Sequence, residues 1–206
     1  MTKQGILLIV SGPSGTGKGT VCNALLQKHP DMGYSVSMTT RAPRLGEVEG
    51  KDYFFVDKNT FEKMIENNEL LEYAKVYDNY YGTPCSYVLQ ALAKGKDVIL
   101  EIEMDGAGQV KKRFSDGVMV FVLPPSLEEL AARLKKRGKD DAEAIRKRLK
   151  SAAGEIAQAV TYDYVMVNNQ VDDSVEQLEA ILSAEKSKVS RNMKTIEDVR
   201  YEAAQF

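Results

Sequence analysis

Short apolar runs alternate with helix-period segments along this chain. Ile6-Leu-Leu-Ile-Val10, Val98-Ile-Leu-Glu-Ile102, Val118–Leu123 and Tyr164–Val167 are almost wholly apolar and are bounded by glycine, proline or polar residues. Runs of that length predict strands buried on both faces, as in parallel sheets. Between them the periodicity predicts helices at about 20–28, 86–94, 105–113, 126–137, 141–160 and 174–186. Strands alternating with helices predict right-handed βαβ units and an α/β fold.

Three stretches depart from this rhythm. Residues 37–88 hold Tyr53, Tyr73, Tyr77, Tyr80, Tyr81 and Tyr87, with strand-like runs at 53–56 and 71–76 around a helical segment at 60–67. They read as an α+β insertion, with Tyr73, Tyr77 and Tyr87 in a small aromatic core. Residues 126–150 begin with Ser126-Leu-Glu-Glu129, a capping box. Leu127, Leu130, Ala131 and Leu134 follow at helical spacing, Gly138 interrupts, and Asp140-Asp-Ala-Glu143 can cap a second helix. Residues 187–206 are polar, with a weak apolar stripe, and read as a terminal helix or a frayed tail.

Composition narrows the chemistry. With 206 residues and 43% hydrophobic content, the chain can bury a core without staples. Cys22 and Cys85 form no CxxC pair, and His29 is the lone histidine, so a disulfide framework, a zinc ribbon and a histidine-rich metal site are excluded. No secretory signal or membrane-length apolar stretch is evident, so a cytoplasmic protein with reduced thiols and no membrane partner is expected. The net charge of −2 argues against a nucleic-acid partner. Yet 133–150 alone carries nine basic and three acidic residues, a local +6.

The most specific motif is Gly12-Pro13-Ser14-Gly15-Thr16-Gly17-Lys18-Gly19-Thr20, placed after a strand and before a helix. It matches the phosphate-cradling G-x-x-x-x-G-K loop. Glycines let backbone N–H groups approach phosphate oxygens, the helix N-terminus favours the same anion, and Lys18 can reach the β- and γ-phosphates. The hydroxyl residue usual after the lysine is replaced by Gly19, with Thr20 one place later. A second anion cradle is readable in Ser37, Arg41, Arg44 and Tyr53. Glu101 and Glu103 stand two apart at the end of an apolar strand, on one face, where ligands bind in such sheets.

Together these motifs resemble the guanylate kinases. Ser37–Tyr53 follows S-x-[ST]-T-R-x-P-R-x-G-E-x-x-G-x-D-Y; Asn79-Tyr-Tyr-Gly-Thr83 and Leu100-Glu-Ile-Glu103 follow in order, and the likeness covers about 5–186. The resemblance implies a P-loop NTPase fold: a five-stranded parallel sheet flanked by helices, with core segments of about 1–36, 89–125 and 151–186. The insertion at about 37–88 would then bind GMP, and 126–150 would be a helical lid. It implies γ-phosphoryl transfer from ATP to GMP with Mg²⁺, the loop residues 12–20 together with Arg133, Arg137 and Asn168 holding ATP, and Lys18, Arg41, Arg137 and Arg148 acting on the transferring group. Ser37, Arg41, Arg44, Tyr53 and Tyr81 would hold the GMP phosphate. Glu72, Thr83 and Glu103 would read guanine, whose edge offers two donors where adenine offers an acceptor. No direct protein ligand for Mg²⁺ is assigned; Glu101 would act through water. Two features depart from the family pattern: Glu at 101 and 103 where Asp is common, and Asn169 for a frequent Asp. The readings left open are another nucleoside monophosphate kinase, a peptide-binding guanylate-kinase-like module and a nucleotide switch; monomer and homodimer also stay open.

Overall fold

The computed structural model describes residues 4–136, 138 and 141–205. Its main sheet is five-stranded and parallel, in the order β2 (Gly33–Tyr34), β7 (Val98–Glu101), β1 (Leu7–Ser11), β8 (Val118–Leu123), β9 (Tyr164–Val167). Central β1 pairs with β7 and β8, and all five of its residues are buried. That burial explains its unbroken apolar sequence. On one face, α1 (Lys18–Lys28) and α7 (Val171–Ser187) enclose Leu8, Val10, Leu25, Ile99, Val120 and Leu178. On the other, α3 (Cys85–Ala93) and α4 (Met104–Arg113) cover Leu7, Ile9, Leu92, Leu100 and Val110. Among the described residues no helix is long and apolar enough to cross a membrane.

Residues 38–84 build a second, four-stranded sheet, β4 (Phe54–Phe55), β3 (Met38–Thr39), β6 (Asn79–Pro84), β5 (Leu70–Val76), with α2 (Lys58–Glu66). Asp57 caps α2, its carboxylate accepting from the Thr60 N–H at 2.9 Å. Beyond these, α5 (Leu127–Lys136) and α6 (Ala142–Ala157) pack through Leu130, Leu134, Ile145 and Ala152. The chain closes with α8 (Val189–Ala203).

Several expectations need correction. β9 is not buried on both faces: as the edge strand it leaves Val165 51% and Val167 46% exposed. The two-residue β2 and the hairpin strand β6 carried no apolar run, because sheet pairing rather than side-chain burial defines them. Tyr73, Tyr77 and Tyr87 are exposed and form no aromatic core; Met38, Phe61 and Leu70 do that work, with Tyr80 stacked on Phe61 at 5.2 Å. Glu103 lies beyond β7 as the residue before α4, in extended conformation. Half of the capping box forms: Ser126 Oγ accepts from the Glu129 N–H at 3.0 Å, while the Glu129 carboxylate turns to Arg133 at 2.8 Å. Residues 189–203 are helical.

Candidate active site

The loop between β1 and α1 wraps the positive end of α1 and is braced from three sides. The buried Thr16 donates its hydroxyl to the Pro13 carbonyl at 3.0 Å. The Thr16 carbonyl accepts from the Asn168 side-chain amide at 2.7 Å and from Arg133 Nη1 at 3.3 Å. Asn168 in turn accepts from the Ser174 hydroxyl at 3.0 Å. Gly17, at φ 89°, has no alternative residue: a Cβ there would sit 2.4 Å from the Asn168 amide nitrogen. Lys18 donates to the carbonyls of Gly12 at 2.5 Å and Pro13 at 3.2 Å. Arg148 of α6 reaches the Ser14 hydroxyl at 3.0 Å. Arg133 and Arg148 therefore converge on the loop from two helices, and Leu130 and Leu134 pack against Gly15. Arg137, expected beside them, lies outside the described residues.

A cleft of about 640 Å³ runs from Lys18 to the second sheet, lined by Ser37, Tyr53, Tyr81, Glu72, Glu101 and Glu103 among others. Arg41 stands at its rim, held by both oxygens of Glu47 at 2.6 and 2.7 Å and lying 5.0 Å from the Tyr53 ring centre. The Glu47 hydrogen bond to Arg41 draws the Glu47 carboxyl down to about 2, and the same bond raises Arg41. Arg44 is exposed, and its backbone N–H donates to Glu47 at 2.8 Å. At the far wall Glu72 lines the cleft and Thr83 faces it from across the β5–β6 ladder, the Thr83 hydroxyl donating to Glu72 Oε1 at 2.7 Å. Glu72 is 8% exposed and Thr83 fully buried. Burial pushes the Glu72 carboxyl up, and the Thr83 bond partly opposes it.

Glu101, at the end of β7, faces the start of α1. A Cβ built on Gly19 would lie 3.3 and 3.4 Å from its two carboxylate oxygens. Burial raises the Glu101 carboxyl, the charge of Lys18 opposing it and that of Glu103 adding to it. A side chain at position 19 would ask this carboxylate, the end of a flexible side chain, to shift by a few tenths of an ångström. Thr20 is exposed.

The model of the guanylate kinase family matches residues 4–185. The chain belongs to the guanylate kinase family. It is 52% identical to the guanylate kinase of Caldanaerobacter subterraneus subsp. tengcongensis over 201 residues, 98% of each chain. It is 53% identical to that of Clostridium tetani over 189 residues, covering 92% of this chain and 90% of the relative. The crystal structure of guanylate kinase from Anaplasma phagocytophilum superposes with a TM-score of 0.76 at 35% identity, over 97% of both chains.

In this guanylate kinase family member, three further residues stand at the site. Glu47, the glutamate of the Ser37–Tyr53 pattern, sits six residues beyond Arg41 and carried no assigned role there. Tyr34 lines the cleft from β2, with its hydroxyl toward Glu101. Glu155 of α6 has one buried carboxylate oxygen without a hydrogen-bond partner, and burial, then the charge of Glu103, raises its carboxyl. Nothing in the helical period of 142–157 distinguishes it from a solvated residue.

Proposed function

We propose that this chain transfers the γ-phosphoryl group of ATP to GMP, giving ADP and GDP. The observation that carries the reading is the pairing, across one cleft, of a phosphate loop with a buried carboxylate–hydroxyl pair, Glu72–Thr83. An ionised Glu72 accepts both donors of the guanine edge, and the Thr83 hydroxyl, which donates to Glu72 in the free site, turns its one proton to O6 when guanine binds. Adenine would oppose a lone pair to that buried carboxylate, and such a mismatch supports discrimination of about 10⁴-fold. Glu103 completes the base edge. Ser37, Arg41, Arg44, Tyr53 and Tyr81 hold the GMP phosphate, whose ionised oxygen attacks without a general base.

On the ATP side, backbone N–H groups of 12–20 and Lys18 cradle the phosphates. Arg133, Arg137 and Arg148 draw the helices of 126–150 over them, and this closure excludes water and suppresses hydrolysis. Asn168 fixes the loop through Thr16 and borders the adenine. Charge spread over three equatorial oxygens is met by Lys18, Arg41, Arg137 and Arg148. The residues present fit Mg²⁺ held on ATP rather than on the protein: Gly19 offers no hydroxyl, and the Glu101 carboxylate beside it is placed to orient bound water. When bound, Mg²⁺ neutralises phosphate charge. In domain terms the core is 1–36, 89–125 and 151–186, the GMP unit 37–88 and the lid 126–150, in a cytoplasmic protein.

The test is ADP release with ATP and either GMP or AMP. Release dependent on GMP, with AMP at least ~10³-fold poorer in kcat/KM, is expected. Equal use of AMP would remove the guanine assignment, and no GMP-dependent release would remove the function.

A further inference from the structure

A buried polar side chain is almost always hydrogen-bonded, to protein or to ordered water. Among the described residues, Ser11 Oγ, Tyr162 OH and Glu155 Oε2 are buried and have no partner in the chain. They come from three separate parts of the fold, yet they gather around Glu103. A fourth such atom, Arg41 Nε, belongs to the clasp with Glu47.

Ser11 ends β1, one residue before the phosphate loop, and is fully buried. Its register partner on β8 is Phe121, and the Tyr162 ring stands edge-on to Phe121 with 5.0 Å between centres. This brings the Tyr162 phenol up to the Ser11 hydroxyl. The two are close enough for Ser11 to oppose the burial that raises the phenol, but they are not in hydrogen-bonding geometry. Polar atoms held just beyond direct reach are a common setting for a bridging water. The charge of Glu103 acts on Tyr162 as well. Glu155 approaches from another side. It lies seven residues after Arg148 on α6, with buried Ala152 between, so both side chains share the face turned to the phosphate loop. Its carboxylate senses Glu103 and Lys18.

Glu103 needs support from its surroundings. It is exposed, and although it precedes α4 its side chain caps no N–H of that helix. Glu155 carries the same charge, so unmediated contact would turn the two carboxylates apart. A donor placed between them removes that conflict. Ser11 and Tyr162 each have one O–H to donate, and the two carboxylates accept. A water, with two donors and two acceptor positions, matches this set of four groups.

We propose that Ser11, Tyr162 and Glu155 hold an ordered water that fixes the Glu103 carboxylate for guanine, with Ser11 and Tyr162 as positioning residues. This role rests on the reading of Glu103 as part of the guanine edge, and adds the groups that aim it. It also joins the foot of α6 to the strand that carries the phosphate loop.

A high-resolution crystal structure of the full chain tests it, together with melts and calorimetric GMP and ATP titrations of Tyr162→Phe, Ser11→Ala and the double variant. The structure should show an ordered water within hydrogen-bond distance of at least three of the four side chains. Removing a partnerless hydroxyl would leave Tm unchanged or raise it. Removing one bonded to water should lower Tm by about 2–4 °C. The double variant should lose clearly less than the sum of the singles, because one water serves both hydroxyls. Tyr162→Phe should weaken GMP binding about 3- to 10-fold and leave ATP binding unchanged, whereas a packing defect would move both. No water at this place, a Tm that holds or rises, additive losses, or equal changes for GMP and ATP would each overturn the proposal. A parent chain that binds no GMP would remove the function itself; one that binds it, with Tyr162→Phe indifferent, removes only the positioning role.

Discussion

Glu72→Gln separates substrate recognition from fold stability, because the two should move in opposite directions. The substitution keeps the volume of the side chain and an acceptor for the Thr83 hydroxyl now 2.7 Å away. It replaces one carboxylate oxygen with a donor, which meets a donor on guanine. Losing one charge-assisted hydrogen bond and opposing two donors costs about 2–4 kcal/mol, or roughly 30- to 1,000-fold in kcat/KM for GMP. ATP should bind as before, since Glu72 belongs to the second sheet. Stability runs the other way. Burial holds the Glu72 carboxyl above its ordinary value, so the folded chain binds that proton more tightly than the unfolded chain does. Stability therefore falls as pH rises from the ordinary carboxylate value through the raised one, and at neutral pH the ionised group is a net cost. Glutamine carries no such cost, so the variant should melt no lower than the parent at neutral pH and lose this part of the pH dependence. ADP-release kinetics at varied GMP and thermal melts at acidic and neutral pH read the two effects. An unchanged KM for GMP together with a lower Tm would refute both the base-reading role and the buried-charge argument.

Three further outcomes follow from the same geometry. Lys18→Met should lower kcat by about 10²–10³-fold while leaving the far-ultraviolet spectrum unchanged, because only two loop carbonyls lose a donor; normal turnover would remove Lys18 from the mechanism. Asn168→Ala removes one of two partners from both the Thr16 carbonyl, which keeps Arg133, and the Ser174 hydroxyl, which keeps the Gln170 carbonyl, so about 1 kcal/mol of stability should be lost and the KM for ATP should rise more than that for GMP. Glu185 is 2% exposed; burial pushes its carboxyl up, but bonds from Lys188 at 2.6 Å and Tyr164 at 2.7 Å outweigh that and leave it below the usual range. Its contribution is therefore present above the ordinary carboxylate value and lost as pH falls through the lowered one; Lys188→Met should erase that acid-limb dependence in denaturant melts and cost about 1–2 kcal/mol at neutral pH, discounted for the half-exposed lysine.

The central strands were readable because β1 and β8 are covered by helices on both faces, so their sequences had to be apolar throughout. The same logic misread β9: its apolar residues are as dense, yet at the sheet edge Val165 and Val167 meet solvent, and composition does not record position in a sheet. The phosphate loop was legible because backbone approach to an anion demands glycine at fixed spacing, a constraint written in the sequence itself. Glu72 was legible only through the family likeness. What singles it out physically is burial opposite Thr83, and that follows from the β5–β6 register, a pairing between residues eleven apart that no local pattern encodes. Glu155 illustrates the remaining limit, since its partnerless oxygen depends on how α6 is placed relative to Glu103 and Lys18, far off in sequence.

These long-range placements also account for the charge distribution. Four described cations of the site have acceptors for their side chains supplied by the chain: Gly12 and Pro13 carbonyls for Lys18, Glu47 for Arg41, Glu129 and the Thr16 carbonyl for Arg133, and the Ser14 hydroxyl for Arg148. Unshielded, such cations would repel one another across a small cleft and favour its opening. Most of these acceptors are neutral or shared, so a phosphate with two charges competes with them successfully. Glu47 is different: its bidentate grip is charged and drawn strongly to Arg41. It therefore orients the guanidinium, whose Nε is buried without a hydrogen-bond partner. A chain of net charge −2 can in this way gather positive potential where two phosphorylated substrates meet, without an excess of basic residues.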